Sequence, residues 1–242
     1  GLRTGRVTLG IHIAAPGLAI TPGSALDKLA QDRLSTVYVP GWKVTMLPQS
    51  VVAAYTLDAG REVPALSLYV DVDEHSLDIL DRRTRIERVP IAENLRHDKL
   101  DDIVTEAALE APTAEEAYPF ATELAFLWRL ARQLKAARER VRGKPETFNR
   151  PDPVFRLVAD GQTPGGEQAD DCRDHQGAKE GRDHDGPSGL ERIEIGLRRR
   201  GAPLDLIVAE AMILANSTWG SWLAELRVPA IYRSQASMAP GV

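Results

Sequence analysis

The sequence predicts an α+β fold: a mixed, strongly curved β-sheet wrapped by helices and interrupted by a disordered insertion. Three observations carry this. RVTLGIHIA (6–14) and ALSLYVDVD (65–73) alternate apolar and polar residues, the mark of half-buried strands. Residues 120–142 and 203–226 repeat apolar residues at three- and four-residue steps, as amphipathic helices do. Residues 159–189 contain no Val, Ile, Leu, Met or aromatic, so they lack the apolar surface needed to order themselves.

Composition limits the function classes. With 242 residues, 43% of them hydrophobic, the chain can build one large domain with a real core. We expect a single domain over 1–242, with 159–189 as a flexible insertion. A net charge of −5 excludes a polycation, so nucleic-acid binding would need local basic patches. The one cysteine, Cys172, excludes a disulfide within the chain and a four-cysteine zinc site. No apolar run is long enough to span a membrane, and GLRTGRVTLGIHIA lacks signal-peptide order. A strand begins almost at the first residue, as in a fragment or a processed piece.

The elements follow in order. In 6–14, Val7, Leu9, Ile11 and Ile13 share one face and Thr8, Gly10 and His12 the other. PGLAITPGS (16–24) is turn chemistry. A helix over 25–36 puts Leu26, Leu29, Ala30 and Leu34 in register. Residues 37–48 read as extended, punctuated by Pro40, Gly41 and Pro48. Strands over 65–73 and 77–89 pair antiparallel through a turn at 73–76. Short acidic helices are expected at 92–109 and 113–118. Over 120–142 the apolar positions are Leu124, Leu127, Trp128, Ala131 and Leu134, with a basic tail where the helix dipole favours cations. Strands over 154–159 and 190–198 flank the insertion. It carries Cys172, His175 and His184, at a spacing that matches no zinc pattern.

The last helix, 203–226, opens with Pro203 at its first position and Asp205 in its first turn. Leu204, Ile207, Val208, Ala211, Met212, Ala215 and Trp219 form its stripe, widened by Ile213 and Leu214, which predicts a mostly buried helix near the centre of the fold. Arg198, Arg199 and Arg200 stand directly before it. Beside a helix N-terminus they would seat a phosphate or carboxylate. The alternative is that they are solvated, or pair with Glu191 and Glu194.

Several stretches together resemble the RNB catalytic domain of the ribonuclease II and ribonuclease R family. LGIHIA, PGSALDKLAQDRLSTVYVPG and MLP match that family's opening motifs, and IVAEAMILAN and PAIYRSQ match later ones, in the same order. The resemblance spares only the insertion and part of the acidic middle. It implies Mg²⁺-dependent, processive 3′→5′ hydrolysis of single-stranded RNA to nucleoside monophosphates by a monomeric cytoplasmic enzyme. RNA would thread a channel and stack on aromatic side chains.

Carried onto matching positions, the resemblance makes Tyr38 a base-stacking aromatic at the channel mouth. A half-buried strand tyrosine is the other reading. His97 falls where relatives place a tyrosine against the terminal base, and Phe148 lies near a second clamping aromatic. Arg198, Arg199 and Arg200 match a basic approach to the channel, and Glu210 matches one of two adjacent acids, the other being Ala209 here. Asn216, Tyr232 and Arg233 match supporting positions.

The family's metal-binding aspartate cluster and its catalytic arginine segment have no counterpart in these residues. We therefore assign no catalytic residue and no metal ligand, and expect a fragment that binds RNA without cleaving it. Asp71 and Asp73, alternating on one strand face, and the adjacent Asp101 and Asp102 are the acids that could substitute. A solvated sheet edge is the preferred reading of the first pair. Two rivals remain: a non-catalytic RNA-binding or scaffold protein of the same descent, and a metal sensor built on 159–189.

Overall fold

The computed structural model describes residues 5–39, 42–111, 118–146, 151–158, 192–199 and 201–232. Its centre is a three-stranded antiparallel sheet in the order β1 (Arg6–Ala14), β4 (Glu62–Asp73), β5 (Ile79–Pro90). The α+β class stands. Where the sequence suggested a mixed sheet, every described pairing is antiparallel.

Register converts the alternation into two faces. Val7, Leu9, Ile11 and Ile13 lie opposite Val72, Val70, Leu68 and Leu66. This face meets two long helices, α5 (Ala121–Arg142) and α6 (Pro203–Glu225). Ile11, Leu68, Val70, Val72, Phe126, Leu130, Leu214 and Ala215 form the main core, with Leu68, Val70, Val72 and Ala215 wholly inaccessible. Burying a leucine of this kind contributes on the order of 2 kcal/mol. A shift of one residue in β1 would exchange its apolar set for Thr8, Gly10 and His12, so this core fixes the register.

A second core joins Leu100, Val104, Leu109, Tyr118, Leu124, Trp128 and Leu204. It ties α5 and the start of α6 to short helices α3 (His97–Leu100) and α4 (Glu106–Glu110). These two turns stand where one acidic helix over 92–109 was expected. Thr105 caps α4, its side chain accepting from the Ala108 amide, which starts a new helix instead of continuing the old one. The helix expected at 113–118 falls largely outside the described residues.

The N-terminal motifs now acquire causes. α1 (Ala25–Arg33) is capped by Ser24, which accepts from the Asp27 amide, while the Asp27 carboxylate takes the Gly23 amide at 2.7 Å. α1 ends at Arg33, three residues short of the expected span, with Leu34 after it at φ +59°. The stretch read as extended is a hairpin of β2 (Val37–Val39) and β3 (Trp42–Val44), and a helix α2 (Gln49–Tyr55) follows Pro48. Asp73 shapes the β4–β5 turn by accepting the His75 and Ser76 amides at 2.9 and 2.8 Å.

β6 (Pro151–Val158) and β7 (Arg192–Arg199) pair as the ribbon expected on either side of the insertion. The insertion itself, with Cys172, His175 and His184, lies outside the described residues. α6 departs from expectation in burial. Pro203, Leu204, Glu210, Leu214 and Ala215 are buried, while Val208, Met212, Ile213 and Trp222 are exposed. Only one side of its wide apolar stripe finds a partner among the described residues.

Candidate nucleic-acid interface

The polar face of the sheet, opposite the long helices, carries charges already matched to one another. Asp71 is 2% exposed. It accepts from Thr8 Oγ1 at 2.6 Å, from Arg83 at 3.0 and 3.3 Å, and from the Arg6 guanidinium. The Thr8 hydroxyl, then the two arginines, hold its carboxyl below the usual range against the opposing effect of burial. Asp71 is therefore neither a solvated edge residue nor an open ligand.

Further along this face, His12 Nδ1 lies 2.8 Å from Ser67 Oγ, and its ring meets Tyr69 edge-on at 5.6 Å. Gly10 makes room for this pair. A Cβ there would sit 2.6 Å from His12 Nε2 and 3.3 Å from Tyr69. Burial lowers the His12 pKa, with Glu87 opposing. The Tyr69 and Ser67 hydroxyls hold Glu87 below the usual carboxylate range.

A third matched set locks the helices. Glu210 is 2% exposed and accepts from Arg138 Nη2 at 2.5 Å, and the same nitrogen lies 2.5 Å from Glu146. Glu210 and then Glu146 push the Arg138 pKa upward. An RNA contact through Glu210, the role the resemblance implied, would require Arg138 to let go.

The other sequence-derived residues spread out. Tyr38 is 66% exposed, on β2 opposite Lys43 of β3. The half-buried alternative is thus overturned: the ring is open to solvent with an ammonium across the hairpin. His97 opens α3. Arg198 and Arg199 end β7, and Arg200 and Phe148 lie outside the described residues. Glu194 pairs with Arg192 at 2.8 Å, and the side chains of Arg198–Arg200 lie outside the described residues. The start of α6 is no open anion seat, because Pro203 and Leu204 are buried and the Asp205 carboxylate faces the Gly201 amide at 3.3 Å.

Sequence reasoning missed a groove of about 850 Å³ between β5 and the second half of α6. Leu66 and Ile86 give it an apolar floor; Arg82, Arg85, Trp219 and Trp222 line its sides. Trp219 Nε1 donates to Thr84 Oγ1 at 3.0 Å, which fixes that ring across the groove. The signal was available in the arginine-rich strand DRRTRIER and in the two tryptophans three residues apart.

Mg²⁺ takes a near-octahedral set of oxygens, with carboxylates free to face it. Asp71 is committed to Thr8 and two arginines, and Asp73 to two backbone amides. Among the described residues no group of three or more His, Cys, Asp or Glu side chains converges. The described acids do not fit the ion.

Comparison with known proteins gives this arrangement its context. Residues 1–241 match the RNB domain model. The chain belongs to the RNB domain family. RNB relatives include exoribonuclease 2 of Vibrio vulnificus, 30% identical over 159 residues, 64% of this chain and 23% of that protein. Protein SSD1 of Saccharomyces cerevisiae is 35% identical over 75 residues, 31% of this chain and 6% of its own length. The chain thus spans under a quarter of these relatives. Among solved RNB structures, Dss1 exoribonuclease of Candida glabrata superposes with TM-score 0.62 at 18% identity, covering 95% of this chain and 28% of that one. RNase R of Mycoplasma genitalium, in complex with single-stranded RNA, gives 0.62 at 13%, covering 91% and 29%. These likenesses establish the fold. The RNB family holds exoribonucleases, and yeast Ssd1 is described as a pseudonuclease.

Proposed function

We propose that this chain is the RNA-binding body of a 3′→5′ exoribonuclease of the ribonuclease II type, acting on single-stranded RNA as a cytoplasmic monomer. The match over residues 1–241 carries the reading. The exposed Tyr38 opposite Lys43 supports it, since a flat ring beside a cation suits any base and its phosphate. His97, Phe148 and Arg198–Arg200 remain proposed contacts of the longer RNA path, while Glu210 is held by Arg138.

No hydrolytic step is assigned to the described residues: Asp71 and Asp73 are matched within the fold, and no group of three or more acids, His or Cys converges among them. In this proposal the whole enzyme uses Mg²⁺ on acids other than these, to polarise the phosphodiester and activate water. The chain by itself binds RNA and leaves it intact.

The test is a 5′-labelled single-stranded RNA of about 30 nucleotides incubated with the chain and Mg²⁺, with and without EDTA. At that length the RNA exceeds a typical single-strand site. Retarded mobility in a native gel with intact RNA in a sequencing gel is the expected result. Shortening that EDTA abolishes would place a metal site within the chain and overturn the account. Absence of any retardation would overturn the RNA-binding reading.

A further inference from the structure

We propose that the groove between β5 and α6 is a second single-strand RNA subsite, with Trp222 as its stacking surface and Arg82 as its phosphate contact. It rests on the proposed RNA-binding function and places a new site for it far along the chain from Tyr38.

Three features carry the inference. The first is the aromatic wall. Trp222 is 49% exposed beside Trp219, whose ring is fixed through Thr84. A half-exposed indole on a rigid helix offers a flat face at little entropic cost. Ile86, 66% exposed, and the edge of Leu66 continue the apolar surface below it.

The second feature is charge. β5 bears Arg82, Arg83, Arg85 and Arg88 within seven residues, in a chain whose net charge is −5. Arg83 is engaged by Asp71, and Arg88 by Glu62 at 3.4 Å. Among the described residues Arg82 makes no hydrogen bond or ion pair, and it lines the groove with Arg85. Arg85 is engaged electrostatically with Glu87. Among the described lining residues Glu225 is the one acid, and Arg82 is the guanidinium left to meet a phosphate.

The third feature is the set of hydroxyls. Thr84, Ser217, Thr218 and Ser221 border the groove; Ser217 donates to the Leu214 carbonyl, and the other three can donate to a phosphate or base oxygen. Arginine, hydroxyl and indole around one channel form the usual combination for sequence-tolerant single-strand binding. An acidic peptide would use the arginines but gain little from the open indole.

The test uses the full chain, a fluorescein-labelled 12-mer of uridine, and anisotropy at low salt. Trp222→Ala is expected to weaken binding about tenfold and Trp222→Phe to restore most of it, since the phenyl ring keeps a stacking face. Arg82→Glu is expected to weaken binding and flatten its dependence on salt. Both side chains are largely exposed, and an unchanged thermal midpoint is expected for all three variants. If the wild-type chain binds the 12-mer and Trp222→Ala binds it equally well, the groove is not a subsite, while the RNA-binding reading survives. If the wild-type chain does not bind RNA, both fail. If polyglutamate displaces the RNA and Arg82→Glu loses both ligands while Trp222→Ala loses neither, the groove takes acidic peptide, and the proposal is overturned.

Discussion

Asp71 and Tyr38 both sit on strands, and both were picked out from the sequence for chemistry. Asp71 is buried, with its two oxygens shared among Thr8, Arg6 and Arg83. Tyr38 stands 66% exposed on a two-stranded hairpin opposite Lys43. The difference separates two uses of polar residues in one domain. On the sheet face away from the long helices, and between α5 and α6, charges are matched internally and hold elements together. On β2–β3 and along β5 and α6, polar and aromatic groups are left facing solvent. A buried charge that lost its partner would be costly, whereas an exposed ring can be removed at little structural cost.

The largest expected effect lies in the matched set. Arg138→Met leaves the buried Glu210 carboxylate unpaired between α5 and α6 and should destabilise the fold by about 3 kcal/mol. Chemical denaturation measures it; a loss under about 0.5 kcal/mol, the range of ordinary surface changes, would show that the pair does not lock the helices. Leu68→Ala, in the main core, should cost a similar 2–5 kcal/mol and serves as the calibrating variant.

Acid comes next. Asp71, Asp73, Glu87 and Glu146 all titrate below their usual values in the folded chain. The unfolded chain therefore takes up protons first as pH falls. Their stabilisation is complete above about pH 5 and is lost progressively below it. His12 acts in the same direction at higher pH: its lowered pKa makes protonation favour the unfolded chain below about pH 6.5. Denaturation midpoints measured from pH 7 down to pH 3 should fall steadily, and Asp71→Asn should flatten the lower part of that fall. A midpoint independent of pH would remove these carboxylates from the account.

How much of this was legible from sequence differs by element. The alternation of 6–14 and 65–73 gave both faces of the central sheet, because one face packs on helices and the other does not. The Ser24 cap and its Asp27 counterpart went unread inside the turn and helix assigned there, although both contacts are local. The end of the acidic helix at Leu100 was not, since Thr105 takes over as a cap and the second core stabilises two separate turns. The burial of Glu210 was equally hidden. Its partner Arg138 lies 72 residues away, and no local pattern announces such a pair. The β5–α6 groove escaped for the same reason: Thr84 and Trp219 are 135 residues apart.

The smallest structural effect is expected at Tyr38. Tyr38→Ala should leave the thermal midpoint within about 2 °C, as for an exposed substitution. It should still weaken single-stranded RNA binding about fivefold, the low end for loss of one stacked base. Gly10→Ala is a control on the other side of the comparison. It should push the His12 ring off Ser67, shifting the histidine resonance in NMR, and change RNA affinity little.

The most direct measurement is the RNA affinity of Tyr38→Ala and Asp71→Asn side by side, by anisotropy at a pH and temperature where both are folded. The account predicts a crossed pattern: Tyr38→Ala binds RNA more weakly and unfolds at the wild-type temperature, while Asp71→Asn binds RNA as the wild type does and unfolds earlier. If Asp71→Asn loses RNA binding at an unchanged unfolding temperature and Tyr38→Ala keeps it, the interface lies on the polar face of the sheet, and the division drawn between matched and exposed groups is wrong.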